Sequence, residues 1–357
     1  MALFLFIFFA LAASLSVGLI LLRAKNQLEV VAKPRGDGVA VQSSHSGNPL
    51  RIGGTAVIVG LAFVAIVQMF NGTESVAPIL LLSVLPVFIA GLAEDLGHRV
   101  SPRGRFLAAI VSAVAAVALF GAWVPRSDIL GVDQAMAMPA IAITLTVVFS
   151  AVFCHAVNLI DGMNGLAASV ITTAALGCAA IASLASLPDI VFIALLLAAA
   201  TMGFLLLNWP IARLFLGDAG AYGLGHILVW LMILLTYRSS EVAVPALLLV
   251  IFWPLADVIH TVTRRVSEKV SILQPDRMHL HQKVRRTLDI VWFGYRGRDR
   301  SNPLTTLFLL PFITAPVLSG VLLWNNTSGA WIALGGYMLA FAAAHLLTTR
   351  FAQRFRK

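Results

Sequence analysis

HAVNLIDGMNGLAAS, residues 155–169, sets Asn158, Asp161 and Asn164 three residues apart between two uncharged segments. AIAITLTVVFSAVF (140–153) leads into it and VITTAALGCAAIASLA (170–185) leads out. On a helical turn this spacing spreads three polar groups over one broad face. Capping the next helix would occupy Asp161 alone. It leaves Asn158 and Asn164 unexplained, and also the neighbouring Gly162 and Gly165, which let a ligand approach the backbone. Polar residues at membrane depth line a cavity or a site.

The flanks set the frame. Of 357 residues 59% are hydrophobic and only 11% charged, whereas a soluble domain carries about a quarter charged residues. Mean hydropathy is +0.92. About eleven apolar stretches approach the roughly 20 residues that cross a bilayer. They lie near 2–22, 53–71, 77–93, 105–124, 139–157, 165–186, 190–207, 219–236, 242–262, 304–324 and 329–348. The expected fold is an all-α, polytopic integral membrane protein, with residues 1–357 forming a single transmembrane domain. The first stretch lacks a basic leader and is long for a signal sequence, so it reads as a retained anchor.

With eleven helices, 23 of the 25 Lys and Arg residues fall in the odd-numbered loops and the C-terminal segment. Only Arg126 and Arg238 fall on the other side. Basic residues favour cytoplasmic loops, which puts the N-terminus outside and the C-terminus in the cytoplasm. The loops 24–52, 94–105, 158–164, 208–218 and 263–303 then share the cytoplasmic side. The net charge of +9 sits at a membrane face. It points to anionic lipid headgroups or a diphosphate as partners, not to nucleic acid. Cys154 and Cys178 both fall in apolar segments and read as small packing residues.

Further polar groups gather in these loops. In GLAEDLGHRVSPRGRF (91–106), Glu94 and Asp95 end a helix where acidic charge opposes the macrodipole. Such a pair suits a divalent cation or a proton, while Arg99, Arg103 and Arg105 suit phosphate. In FLGDAGAYGLG (215–225), Asp218 stands at a helix start, as an N-cap or as an oxygen ligand for a hard cation. QPDRMHLHQKVRR (274–286) sets Arg277, His279, His281, Lys283, Arg285 and Arg286 together for an anionic ligand or an anionic lipid surface. Zinc is poorly served there, since no further ligand follows at the usual spacing. Asp257 lies seven residues before Arg264, roughly 10 Å down a helix, so it is a buried partner for a basic group or a site residue.

In order and spacing these motifs resemble those of the polyprenyl-phosphate N-acetylhexosamine-1-phosphate transferases, from HSGNPLRIGG (45–54) to about residue 286. This is glycosyltransferase family 4, and the His-rich loop and PLAD are nearer the undecaprenyl-phosphate GlcNAc-1-phosphate transferases than the phospho-MurNAc-pentapeptide translocases. The resemblance implies transfer of a sugar 1-phosphate from a UDP-N-acetyl sugar to polyprenyl phosphate, with release of UMP. It also implies Mg²⁺, with Mn²⁺ as a substitute, the bacterial inner membrane, a first membrane step of envelope glycan synthesis, and compatibility with a homo-oligomer.

Glu94 and Asp95 stand at the family's Asp pair, which gives Asp95 the role of deprotonating or positioning the lipid phosphate; direct attack and an aspartyl intermediate both stay open. Asp218, helped by Asp161 or Asp95, would hold the metal. Phe215 would stack on uracil, with Asn158 and Asn164 on the nucleoside. Arg99, Arg103, Arg105, Arg277, His279 and His281 would hold phosphates and sugar. Where the family commonly has Asp and a further His, this chain has Asn164 and Gln282. The alternative class is a secondary transporter of an anionic substrate. Such proteins place the site near the midplane between repeated halves, and this chain shows no convincing repeat.

Overall fold

The computed structural model describes residues 2–31, 50–70, 76–271, 276, 278–293 and 298–354. Its elements are helices, with no named strand among the described residues. The first eight are α1 (Ala2–Arg23), α2 (Lys25–Val31), α3 (Gly53–Phe70), α4 (Ala77–Asp95), α5 (Pro102–Phe120), α6 (Val132–Met136), α7 (Pro139–Ile160) and α8 (Leu166–Leu184). After them come α9 (Pro188–Asn208), α10 (Gly217–Arg238), α11 (Val244–Val250), α12 (Phe252–Ser267), α13 (Leu280–Leu288), α14 (Arg298–Leu322) and α15 (Thr327–Arg354).

Among the described residues, ten helices are long and apolar enough to cross a membrane, and the α11–α12 pair makes an eleventh span if counted as one. The expected continuous helix at 242–262 is therefore corrected: it breaks at Ile251 and turns through 88°. Pro254 is the local cause, since a helix running through it would lose the amide owed to the Val250 carbonyl and crowd that oxygen. The pair still takes the chain from one face to the other. On the first face, Arg126 donates to the Val242 carbonyl (2.6 Å), Val244 N–H to Asp128 (2.8 Å) and Trp331 to the Asp128 carbonyl (3.2 Å). On the second, Trp209 donates to the Pro303 carbonyl (3.1 Å) and Lys283 to Thr349 (2.9 Å).

Helix starts follow local chemistry. Ser101 caps α5 by accepting the Gly104 amide at 3.1 Å, and Pro102 occupies the first turn, where its missing N–H costs nothing. The centre of the bundle is α10. Gly217 through Thr236 are all buried, as expected for a helix that is apolar all round. It packs against α4, α7 and α3. Gly54 on α3 and Gly220 on α10 are in backbone contact: a Cβ on Gly54 would lie 2.0 Å from the Gly220 Cα. That approach brings the start of α10 against the ends of its neighbours.

Candidate active site at the start of α10

Four parts of the chain meet at residues 214–219. Leu50 pairs with Leu214 as an isolated parallel bridge. The Phe215 N–H donates to the Leu50 carbonyl (2.8 Å), and Gly53 and Gly54 donate to the carbonyls of Phe215 (2.7 Å) and Leu216 (2.8 Å). Gly217 then turns the chain into α10 with φ +75°, and a Cβ there would lie 1.7 Å from the Arg51 carbonyl oxygen. Only glycine fits this corner.

The first amides of any helix need acceptors. Here Asp95, at the end of α4, supplies them: its Oδ1 accepts the Asp218 N–H and its Oδ2 the Ala219 N–H, both at 2.9 Å. Asp218 is therefore not the N-cap that its position suggested. Its carboxylate is turned the other way, where Arg105 Nη1 donates to Oδ2. Asn158 Nδ2 donates to Oδ1 at 3.1 Å, and Arg51 stands 3.9 Å off. Tyr222, one turn along α10, donates its hydroxyl to Asn158 Oδ1 at 3.3 Å and lies 5.9 Å beneath the Arg105 guanidinium.

Asp161 closes the cluster at the end of α7. Burial pushes its carboxyl up to about 8; nearby Arg51 opposes this rise and the charge of Asp218 adds to it. Glu94 lies in the field of Arg105. The structure thus brings together Glu94, Asp95, Arg105, Asn158, Asp161 and Asp218. Arg99 and Arg103 are exposed in the same α4–α5 region and do not join them.

Two residues expected at the nucleoside, Asn164 and Phe215, are buried. Asn164 is 6% exposed and donates its amide to the Pro210 carbonyl at 2.7 Å. Its own backbone is clamped by α14, with Asn302 accepting its N–H (2.8 Å) and Thr306 donating to its carbonyl (2.7 Å). Asn208 accepts the Gly165 amide at 2.6 Å. Asn164 thus serves as a strut under the 208–214 loop through its Nδ2, while its Oδ1 has no hydrogen-bond partner among the described residues. Phe215 is 6% exposed, so its ring is packed in the core.

The histidine pair forms a second cluster. His279 is fully buried and lies 2.6 Å from Asp257, with Thr261 at 3.4 Å. His279 and His281, expected to hold phosphates and sugar, are both fully buried, their rings stacked 5.5 Å apart. Burial alone would lower the His279 imidazole, but Asp257 and Asp276 override it and hold it above its ordinary value. His281 has no such partner, and burial takes it down to about 4. Lys283 is committed to His345 (3.1 Å) and Thr349 (2.9 Å) on α15. Arg277 lies outside the described residues.

Two members of the cluster, Arg51 and Tyr222, escaped the sequence reading, as did Asn208, Asn302 and Thr306, which brace the neighbouring Asn164–Gly165 turn. Tyr222 carried a usable signal, since it lies four residues after Asp218 and so on the same helical face.

Residues 76–236, which include most of this cluster, match glycosyl transferase family 4. The chain is 26% identical over 280 residues to a probable undecaprenyl-phosphate N-acetylglucosaminyl 1-phosphate transferase of Bacillus subtilis, covering 77% of this chain and 74% of that protein. It is 27% identical to a decaprenyl-phosphate N-acetylglucosaminephosphotransferase of Mycobacterium leprae, over 83% of this chain and 82% of that one. It is 24% identical to an undecaprenyl-phosphate alpha-N-acetylglucosaminyl 1-phosphate transferase of Salmonella typhi, over 94% and 85% respectively.

Proposed function

We propose, for a chain that belongs to glycosyl transferase family 4, that it moves an N-acetylhexosamine 1-phosphate from a UDP-sugar to a polyprenyl phosphate. A phosphate oxygen of the lipid replaces the bridging oxygen on the phosphorus that carries the sugar, and UMP leaves with that bridging oxygen. The acceptor is a membrane lipid, which suits a multi-pass protein whose polar cluster opens at one face. The loops and C-terminal segment expected on that face carry 23 of the 25 Lys and Arg residues of the sequence, so it is assigned to the cytoplasm of a bacterial inner membrane.

One observation carries the reading. Asp218 is fixed at the start of a buried helix by Asp95, with Asp161 beside it and Arg105 and Arg51 facing it. An acidic centre bordered by guanidinium groups can receive both a divalent cation and a diphosphate. Among the described residues, no three His, Cys, Asp or Glu side chains form a ready-made metal cage. Mg²⁺ takes one or two carboxylates and fills its remaining positions with water and substrate phosphate. Asp218 and Asp161 fit as the holding pair, both being hard oxygen donors. The ion, when bound, would offset phosphate charge during the displacement.

The chain's own residues divide the remaining work. Arg105 and Arg51 hold phosphate charge and set the direction of approach. Asn158, braced by Tyr222, orients the Asp218 carboxylate. Asp95 has both oxygens committed to α10, so its first role is to aim Asp218.

The test is direct. Purified protein with UDP-GlcNAc, undecaprenyl phosphate and Mg²⁺ should release UMP and form a lipid-linked product, and other UDP-N-acetyl sugars should then define the donor. Uptake of labelled sugar nucleotide into vesicles without UMP release would replace the transferase reading with transport.

A further inference from the structure

A cavity of about 260 Å³ opens on the face opposite the acidic cluster. Its wall is almost wholly apolar and comes from α7 (Leu145, Phe149), α10 (Met232, Ile233) and α11 (Leu248), with Trp331 of α15 at its edge. A dry apolar cavity of ~150 Å³ accepts a benzene ring, so this one takes roughly ten carbons, about two isoprene units.

Its position restricts the occupant. Thr236 in the wall and Asp218 in the cluster are 18 residues apart on α10, about 27 Å at helical rise. An acyl chain anchored at the cluster's face reaches only about half of the ~30 Å hydrocarbon core. A lipid with its phosphate at Asp218 can fill the cavity only if its tail crosses both leaflets.

A track leads from the cavity toward the cluster. On α7, Leu145 (45% exposed), Val148 (47%) and Val152 (36%) form one apolar face. The exposed part of this face ends at Val152; the next position on it, His155, is packed between Phe106 and Tyr222. The stripe runs from the cavity mouth to Val152, six residues, or about 9 Å at helical rise, before Asn158 of the cluster. A phospholipid of the far leaflet would bring a phosphate headgroup to the mouth, yet both basic residues of that face are already engaged. Arg126 is held by Asp128 and the carbonyls of Thr236, Ser240 and Val242, and Arg238 is paired with Asp189.

We propose that this cavity seats the distal isoprene units of the polyprenyl acceptor, so that the protein measures chain length at the membrane face opposite its chemistry. The inference rests on the transferase reading above. Undecaprenyl phosphate bearing a photoreactive group on its terminal isoprene unit should label segments 132–149 and 232–248 of the full chain in nanodiscs. Unlabelled undecaprenyl phosphate should compete, and phosphatidylglycerol should not.

In parallel, Leu248→Trp should lower kcat/KM for a 55-carbon acceptor about tenfold and leave a ten-carbon acceptor unchanged. Labelling elsewhere, equal competition by phosphatidylglycerol, or equal loss with both acceptors would overturn the proposal. Should Leu248→Trp fail to fold, the labelling of the unaltered protein decides. Absence of UMP release with either acceptor in the unaltered protein is a separate result that removes the transferase reading itself.

Discussion

Asp95 accepts the backbone N–H of Asp218 at 2.9 Å while the Asp218 carboxylate faces the opposite way, toward Arg105 and Asn158. The two acids are thus in series: one aims the helix start that carries the other. Asp95→Asn leaves one amide of α10 without an oxygen acceptor and should cost about 1–2 kcal/mol. Its melting temperature and UMP release should fall together. Asp218→Asn should abolish UMP release at an unchanged melting temperature. A fully stable, inactive Asp95→Asn would instead place Asp95 on substrate.

Gly217→Ala tests the corner at the start of α10. A methyl group 1.7 Å from the Arg51 carbonyl, at φ +75°, cannot be accommodated in place. The 50–54 segment must move, at a cost of about 1–3 kcal/mol. Thermal unfolding in detergent should show the loss, and donor KM should rise as Arg51 leaves Asp218. Wild-type values for both would show that the corner is not needed.

Asn302→Ala removes the acceptor of the buried Asn164 N–H. An orphaned buried amide costs about 1–3 kcal/mol. Because Asn302 is on α14 and outside the acidic cluster, kcat/KM should fall severalfold while Mg²⁺ dependence stays unchanged. A shift in the Mg²⁺ requirement would place Asn302 at the metal.

The His279–Asp257 contact gives a pH dependence of definite sign. The buried imidazole sits above its ordinary value of about 6.5, held there by Asp257 and Asp276 against burial and Arg264. Its contribution to docking of α13 is therefore full below that value and is lost as pH rises through the higher folded value. His281, lowered to about 4, stays neutral throughout this range. Hydrogen exchange of amides 280–288 should accelerate, beyond the intrinsic rate, from pH 6 to pH 9. His279→Gln should remove that extra slope, and a slope that survives the substitution would assign the effect elsewhere.

Much of this was legible because lipid makes polarity conspicuous. Asn158, Asp161 and Asp218 stood out against apolar helices, and they do meet. Asp95 was found, but its partner was not, since a cap supplied across helices leaves no local spacing. Arg51 was indistinguishable from the basic residues that orient a membrane protein. Asn302 and Thr306 looked like ordinary residues of a helix start. The break at Ile251 had a signal in Pro254, but apolarity continues through it, and hydropathy does not register direction. His279 and His281 read as an open basic surface because their burial depends on Asp257, 22 residues earlier.

The clamp on Asn164 has a consequence for how the protein is made. Residues 76–236 hold all the acids of the cluster, yet the cluster borrows Arg51 from before that span, and the turn beside Asp161 is braced by Asn302 and Thr306 from after it. A nascent chain halted before α14 would carry every carboxylate, with the turn beside Asp161 still unpinned. Competence therefore arrives late in synthesis, when the fourteenth helix enters the membrane and ties down a turn translated some 140 residues earlier.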